Sequence, residues 1–389
     1  MIRSLLMLFL IGSVVAGVSA CMPAGLKRPL SLHEIDGGLK VGDIVDAHTG
    51  DVLSFPVLMA KLARARLIYV GESHTSKEDH RVQLKVLKGL HAQNRSLTLA
   101  MEMFPREVQP LLDRYASGEI PEEEFLKEVD WDRTWGYPFQ LYRGIMTWAR
   151  DQRIRIVGLN APHEVVRKIA QSGLSSLTVT ERNRVAREFH PDDPVHQEYL
   201  RRQYHLHQKE SISDLNTFME AQLAWEETMA ETLVETLAAG APDEQVVVLI
   251  GKGHISDRVG VPRLVRERLE QPGLSIAPVP LDYPGRTADP SIADYVWITD
   301  RPESLHRIRL GVVFRHAGSP TGGLEVLGVL PDSPAEKAGI KKGDILYRVD
   351  GTPVTSLEEV HRAISGRPVH ELMLKRGGRS FSVNVTLSP

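Results

Sequence analysis

Four stretches of the chain share one grammar. RLIYVGESH (66–74), LTLAMEMF (97–104), RIRIVGLNAP (153–162) and QVVVLIGKGH (245–254) each carry a short apolar, β-branched run into a glycine or polar break. Runs without alternation belong to strands covered on both faces, as in a parallel sheet. Between them, SKEDHRVQLKVLKGLHAQ (76–93) and the stretch around EVVRKIA (164–170) repeat at helical spacing. Strand and helix in turn predict an α/β domain with a mostly parallel sheet and flanking helices. IVDAHTGDVLSF (44–55) predicts a hairpin about Thr49-Gly50-Asp51, and ADYVWITD (293–300) a late strand. From about 176 to 240 no strand pattern appears. Phe218, Trp225, Met229, Leu233 and Leu237 recur at three- and four-residue spacing, which predicts a helical insertion over the sheet, broken by Pro191 and Pro194.

After Arg301-Pro302 the pattern shortens. LGVVF, GLEVLGVLPDSPAEKAGIKKGDILYRVDGTPV, SLEEVHRAI and ELMLKRGGRSFSVNVTL predict a small mainly-β domain over 303–389. Ser333-Pro334-Ala335 followed by Ala338-Gly339-Ile340-Lys341-Lys342-Gly343-Asp344 resembles a bacterial PDZ domain. In such domains an extended peptide tail adds a strand beside the edge strand while backbone amides hold its carboxylate. The resemblance assigns Leu310, Gly311, Val312 and Val313 to the carboxylate loop and edge strand, and His361 to the groove helix.

Composition changes the picture chiefly at the N-terminus. Residues 1–20 carry Arg3, an apolar run from Leu5 to Val18 and then small residues, the layout of an export signal too short for a comfortable membrane span. Val18-Ser19-Ala20-Cys21 resembles the cleavage box of bacterial lipoproteins. Cys21 is the one cysteine of the chain, so it forms no internal disulfide. These features predict a lipid anchor on Cys21, a tether over 21–39, and a bacterial cell-envelope location. Met22 rather than aspartate after the cysteine favours the outer membrane, facing the periplasm. A formal charge of −3 over 389 residues leaves no basic surplus for nucleic acid.

The chemistry gathers where the strands end. Glu72 and His74 follow the first run, Glu102 lies in AMEMF, Asn160 in GLNAP and His254 in GKGH. Loops leaving neighbouring parallel strands converge, and ligands bind outside those carboxyl ends. Two carboxylates and two imidazoles there allow three uses: holding a divalent cation, activating water, or gripping the polar part of a larger ligand. WDRTWGYPFQLYRGIMTWAR (131–150) adds Trp131, Trp135, Tyr137, Phe139, Tyr142 and Trp148, where an aromatic content of 6% predicts about one.

VGESHTSKEDHRVQ, AMEMF, WGYPFQLYRGIMTWAR, GLNAP, AQLAWEETMAETL and IGKGHI together resemble the ChaN-like haem-binding lipoproteins, over residues 40–299. Those resemble in turn the wider Tiki, TraB and erythromycin-esterase group. The shared motifs fall on Gly71, Glu72, His74, Glu102, Gly253 and His254. The resemblance implies haem or iron handling with tyrosine ligation, binding rather than turnover. Under that reading Tyr137 or Tyr142 supplies a phenolate, Arg133 or Arg143 faces a propionate, and His74, His254 and Asn160 border the cofactor. Tyr204-His205-Leu206-His207 is a second ligand candidate. An exposed aromatic haem face would favour a homodimer. Two readings stay open beside it: a metal-dependent hydrolase using Glu72, His74, Glu102 and His254, and an envelope scaffold working through its PDZ module.

Overall fold

The computed structural model describes Leu30–Ser31 and most of residues 38–300 and 310–387. Cys21 and His361 lie outside the described residues, as do the side chains of His205, Leu206, His207 and Val313.

The N-terminal strands are β1 (Leu30–Ser31), β2 (Ile44–Asp46), β3 (Val52–Leu53), β4 (Leu67–Glu72), β5 (Leu97–Pro105), β6 (Arg155–Asn160), β7 (Gln245–Gly251), β8 (Leu274–Pro280), β9 (Thr287–Ala288) and β10 (Tyr295–Thr299). Eight of them form one sheet in the order β3-β2-β10-β8-β4-β7-β5-β6. The six from β10 to β6 run parallel, and the β2–β3 hairpin joins antiparallel at one edge. β1 and β9 pair separately. The chain reaches β5 and β6 before it returns to insert β7 between β4 and β5, so the four strands with polar endings become consecutive neighbours.

Side chains on a strand alternate between faces, and each face has its own cover. Ile68, Val70, Leu99, Met101, Val247 and Leu249 pack with the helices Lys77–His91 and Gln140–Asp151. Leu67, Tyr69, Val246, Val248 and Ile250 meet Met229, Leu233 and Leu237 of the 25-residue helix Leu215–Ala239 on the other face. Each aliphatic side chain so enclosed contributes about 2 kcal/mol. The apolar runs are unbroken because both faces are dry.

The region expected as a helical insertion holds the helices Val179–Arg182, Pro194–His207 and Leu215–Ala239, with no strand among its described residues. Pro194 opens the second of these, at the position where a missing amide hydrogen costs nothing. Tyr204 is buried against Phe218, 5.5 Å between ring centroids, so its ring serves packing inside the insertion.

The C-terminal strands β11 (Val312–His316), β12 (Leu324–Val329), β13 (Ile345–Val349), β14 (Thr352–Pro353), β15 (Val369–Arg376) and β16 (Arg379–Thr386) form an antiparallel sheet. β11 ends the order β11-β12-β13-β15-β16, so among the described residues it pairs on one side only. Leu310 is buried, its carbonyl accepting the Ala335 amide at 2.9 Å. Gly311 holds φ +74°, and a Cβ there would stand 2.1 Å from Ser333 Cβ, so a glycine is required. Ser333 in turn caps the short helix Pro334–Lys337.

Candidate functional site: a buried carboxylate–imidazole network under an aromatic rim

Glu72, the last residue of β4, is 2% exposed and surrounded by donors. One carboxylate oxygen accepts His74 Nδ1–H at 2.9 Å and the Tyr142 hydroxyl at 2.7 Å. The other accepts Gln83 Nε2 at 2.8 Å, and His80 Nε2 lies 3.3 Å away. Burial alone would raise the pKa of Glu72, but the hydrogen bonds and charges of His74 and His80 override it and hold the group well below the usual carboxylate range. Gln83 and His80 come from the helix Lys77–His91, which begins where Ser76 Oγ accepts the Asp79 amide.

Glu102 and His254 form the second half. Glu102 Oε2 accepts the Gly251 amide, and Oε1 lies 3.5 Å from His254 Nε2. The other ring nitrogen of His254 lies 3.0 Å from Glu226 Oε1, and the second oxygen of Glu226 lies 2.7 Å from His196 Nε2. Burial would lower the pKa of His254, but two flanking carboxylates, Glu102 foremost, push it up to about 10. Burial would likewise raise Glu226, which hydrogen bonds from His196 and His254 bring down to about 2. Glu102 is lowered too, with the charge of His254 overcoming burial. His254 is therefore an imidazolium wedged between two carboxylates. Both of its ring nitrogens face carboxylates, Glu102 on one side and Glu226 on the other.

The cation reading of Glu72, His74, Glu102 and His254 meets the same pairing. Glu72 accepts His74 Nδ1–H, Glu102 accepts the Gly251 amide and pairs with His254, and among the described residues no group of three or more His, Cys, Asp or Glu is arranged to hold a metal ion. Asn160 also turns inward: its Nδ2 donates to the Glu102 carbonyl at 3.0 Å and its Oδ1 accepts the Ala161 amide at 2.8 Å. It ties the end of β6 to β5.

Above Glu72 the aromatic segment divides into a floor and a rim. Tyr142 belongs to the floor. It is 0% exposed, gives its hydroxyl hydrogen to Glu72 and accepts the Trp135 indole N–H at 3.0 Å. Burial and the charge of Glu72 push its pKa well above the ordinary tyrosine value, and its hydroxyl is held by Glu72 and Trp135 rather than turned to the rim. Arg143 lies exposed on the same helix, engaged by Glu122 at 2.6 Å and Gln140 at 2.9 Å, and Arg133 is exposed as well. The rim consists of His74, Trp135 and Tyr137, all half-buried, with ring centroids 4.8 Å (His74–Trp135), 5.0 Å (His74–Tyr137) and 5.5 Å (Trp135–Tyr137) apart. On the far side Trp225 stands 6.5 Å from His254 and stacks on exposed His163 at 6.1 Å. The His163 pKa is lowered, by burial and then by Arg167.

His74 lies directly over the backbone of Gly251, where a Cβ would come 2.9 Å from His74 Cε1 and 3.3 Å from Glu102 Oε2. Gly251→Ala should therefore swing His74 outward and cost about 1–3 kcal/mol, as overpacking does. Guanidinium denaturation followed by tryptophan fluorescence measures this, and an unchanged midpoint would contradict the packing.

A family model described as haem-binding uptake, Tiki superfamily, ChaN matches residues 58–265. The chain belongs to the ChaN family. A PDZ-domain model matches residues 325–375. Among solved structures, ChaN of Campylobacter jejuni, a protein with cofacial haem binding, shares the fold with a TM-score of 0.53 at 21% identity, covering 66% of this chain and 96% of that one. The Arabidopsis thaliana chloroplast protein RETICULATA-RELATED 5 is 22% identical over 264 residues, 61% of this chain and 34% of its own length. Serine protease HTRA1 of Xenopus laevis is 41% identical over 66 residues, 17% of this chain and 14% of that protein. The match to HTRA1 falls far short of that protease's length, as the match to the plant protein falls short of its own.

The ChaN-family site therefore holds more residues than the sequence reading assigned a role, although all but His196 lie within the motifs quoted for the resemblance. Glu226, His196, His80, Gln83 and Lys252 all belong to it. His80 and Gln83 share a helix face with Val82, Val86 and Leu90, and that spacing was the available signal.

Proposed function

We propose that the ChaN-family domain binds haem on the rim of His74, Trp135 and Tyr137, with Tyr137 as the oxygen donor to iron. The observation that carries this is the rim itself: three contacting, half-exposed rings above a closed, charge-balanced floor. A porphyrin needs apolar flat faces to lie on and an axial donor, and the rim offers both. The bound cofactor would supply a redox-active iron, which Tyr137 would hold. The chain's own part is binding and orientation. Trp135 is fixed through its N–H to Tyr142, His74 through Nδ1–H to Glu72, and these anchors converge on one carboxylate. A haem on an open rim keeps one face uncovered, which a second copy of the chain would close.

The PDZ domain supports a second binding role. β11 has an edge without a strand partner among the described residues, and the turn at Gly311 precedes it, the arrangement that receives an extended peptide end. We place the protein in the bacterial envelope, lipid-anchored at Cys21, handling haem or iron for uptake. Cys21→Ser should move it from the membrane fraction to the soluble fraction, and unchanged fractionation would refute the anchor.

Haemin titration of the purified mature protein, followed at the Soret band, tests the cofactor. Saturable binding is expected. Tyr137→Phe should change the spectrum and weaken binding at least about ten-fold, while Tyr142→Phe, which leaves the iron donor in place, keeps the wild-type spectrum and loses about 2 kcal/mol of stability for its two missing hydrogen bonds. Absence of saturable binding, or loss of the spectrum in Tyr142→Phe alone, would overturn the assignment.

A further inference from the structure

We propose that Lys252, the lysine of the GKGH turn, is a positioning residue for His74, acting through Asp79; the consequence for haem rests on the rim reading above. Lys252 follows β7 and is mostly buried. Its ammonium group donates to Asp79 Oδ2 at 2.9 Å and to the Pro278 carbonyl of β8 at 2.8 Å. Asp79 is 1% exposed. The oxygen that meets Lys252 also accepts the Ser73 amide at 2.7 Å, and the other accepts Ser76 Oγ–H at 2.7 Å. One carboxylate thus grips residues on both sides of His74, and one ammonium ties that carboxylate to β7 and β8.

The path of the lysine is built into β4. Its stem crosses above Gly71, where a Cβ would lie 2.8 Å from Lys252 Cγ and 2.9 Å from Ile255 Cδ1. Glycine at 71 is what lets the lysine reach Asp79. Three strands are then locked together at their carboxyl ends, immediately beneath the loop that carries His74. A charged clamp of this kind has a role distinct from stability alone. A buried ion pair is often replaceable by apolar side chains at little cost in stability, while breaking it by removing one partner is costly. What apolar replacements do not reproduce is the hydrogen bond to the Ser73 amide, which fixes the loop.

That difference gives the test. The paired variant Lys252→Met/Asp79→Leu removes both charges and leaves no buried ion unpaired; Lys252→Met alone is its unpaired control. Circular dichroism and guanidinium denaturation establish that the paired variant is folded. NMR of the His74 ring protons then reads position without any cofactor, because the ring sits edge-on to Trp135 and within 5.0 Å of Tyr137. The clamp predicts that the displaced shifts of His74 collapse toward free-histidine values in the folded paired variant. It also predicts that haemin affinity falls about ten-fold or more. Unchanged His74 shifts in the folded variant would overturn the proposal, whatever haemin does. If the shifts collapse and wild-type protein binds no haemin, the clamp stands and the haem reading falls. If the paired variant does not fold, the NMR comparison is made with Gly71→Ala, which displaces the lysine stem without removing a charge, and unchanged shifts there overturn it equally.

Discussion

Replacing Glu72 with alanine should destabilise the N-terminal domain by about 4 kcal/mol, within the range for breaking a buried charged network. The carboxylate receives His74, Tyr142 and Gln83 by hydrogen bonds and His80 at 3.3 Å, so truncation strands several donors at once in a site with almost no access to water. An unsatisfied buried donor costs about 1–3 kcal/mol, and the losses overlap because the side chains relax together. For a domain of this size that corresponds to a fall in Tm of roughly 8–16 °C. The five tryptophans, at 131, 135, 148, 225 and 297, all precede residue 300, so tryptophan fluorescence follows this domain apart from the PDZ domain. Tyr142→Phe is the control, since it removes one of the donors and leaves the carboxylate. A Glu72→Ala midpoint within about 1 kcal/mol of wild type would show that the network is incidental to folding.

The dependence on one carboxylate also explains how far the sequence could be read. The strand endings were legible because both faces of the sheet are dry, which leaves apolar runs that stop abruptly at Glu72, Asn160 and Gly251. Their convergence followed from parallel topology. Pairing did not. Glu102 interacts with His254 across neighbouring strands, whereas the second partner of His254 is Glu226, from the helix Leu215–Ala239. In that helix Glu226 and Glu227 interrupt the apolar stripe and read as solvent-facing, yet both are buried, because His196 and Arg268 reach in to meet them. Partners separated by tens of residues leave no local pattern.

The two tyrosines make the same point at short range. Tyr137 and Tyr142 are equivalent as letters, five residues apart in one aromatic segment. The helix Gln140–Asp151 decides between them. It turns Tyr142 inward with Ile145, Met146 and Ala149, while Tyr137 precedes the helix and stays at the rim. Composition identified a cluster, and helix phase separated its floor from its face.

The His254 half of the network should write itself into the pH dependence of stability. The folded pKa of His254 is about 10, against about 6.5 for a free histidine, so its contribution is complete below about pH 6.5 and is lost as pH rises toward 10. Glu226 behaves in the opposite sense. Its folded pKa of about 2 lies below the ordinary 4.5, so its contribution is complete above about pH 4.5 and is lost as pH falls toward 2. Both are in force together only between about pH 4.5 and 6.5, where guanidinium midpoints should peak. A ten-fold change in proton affinity between folded and unfolded chain is worth about 1.4 kcal/mol, so the alkaline limb should fall by a few kcal/mol between about pH 6.5 and 10. Glu226→Gln removes one of the two carboxylates that hold the proton on His254, and should move that limb toward neutral pH. His254→Gln, if folded, should flatten it. A wild-type midpoint that is level from about pH 6 to about pH 9.5, or a limb indifferent to both substitutions, would mean that His254 is not held as an imidazolium between Glu102 and Glu226.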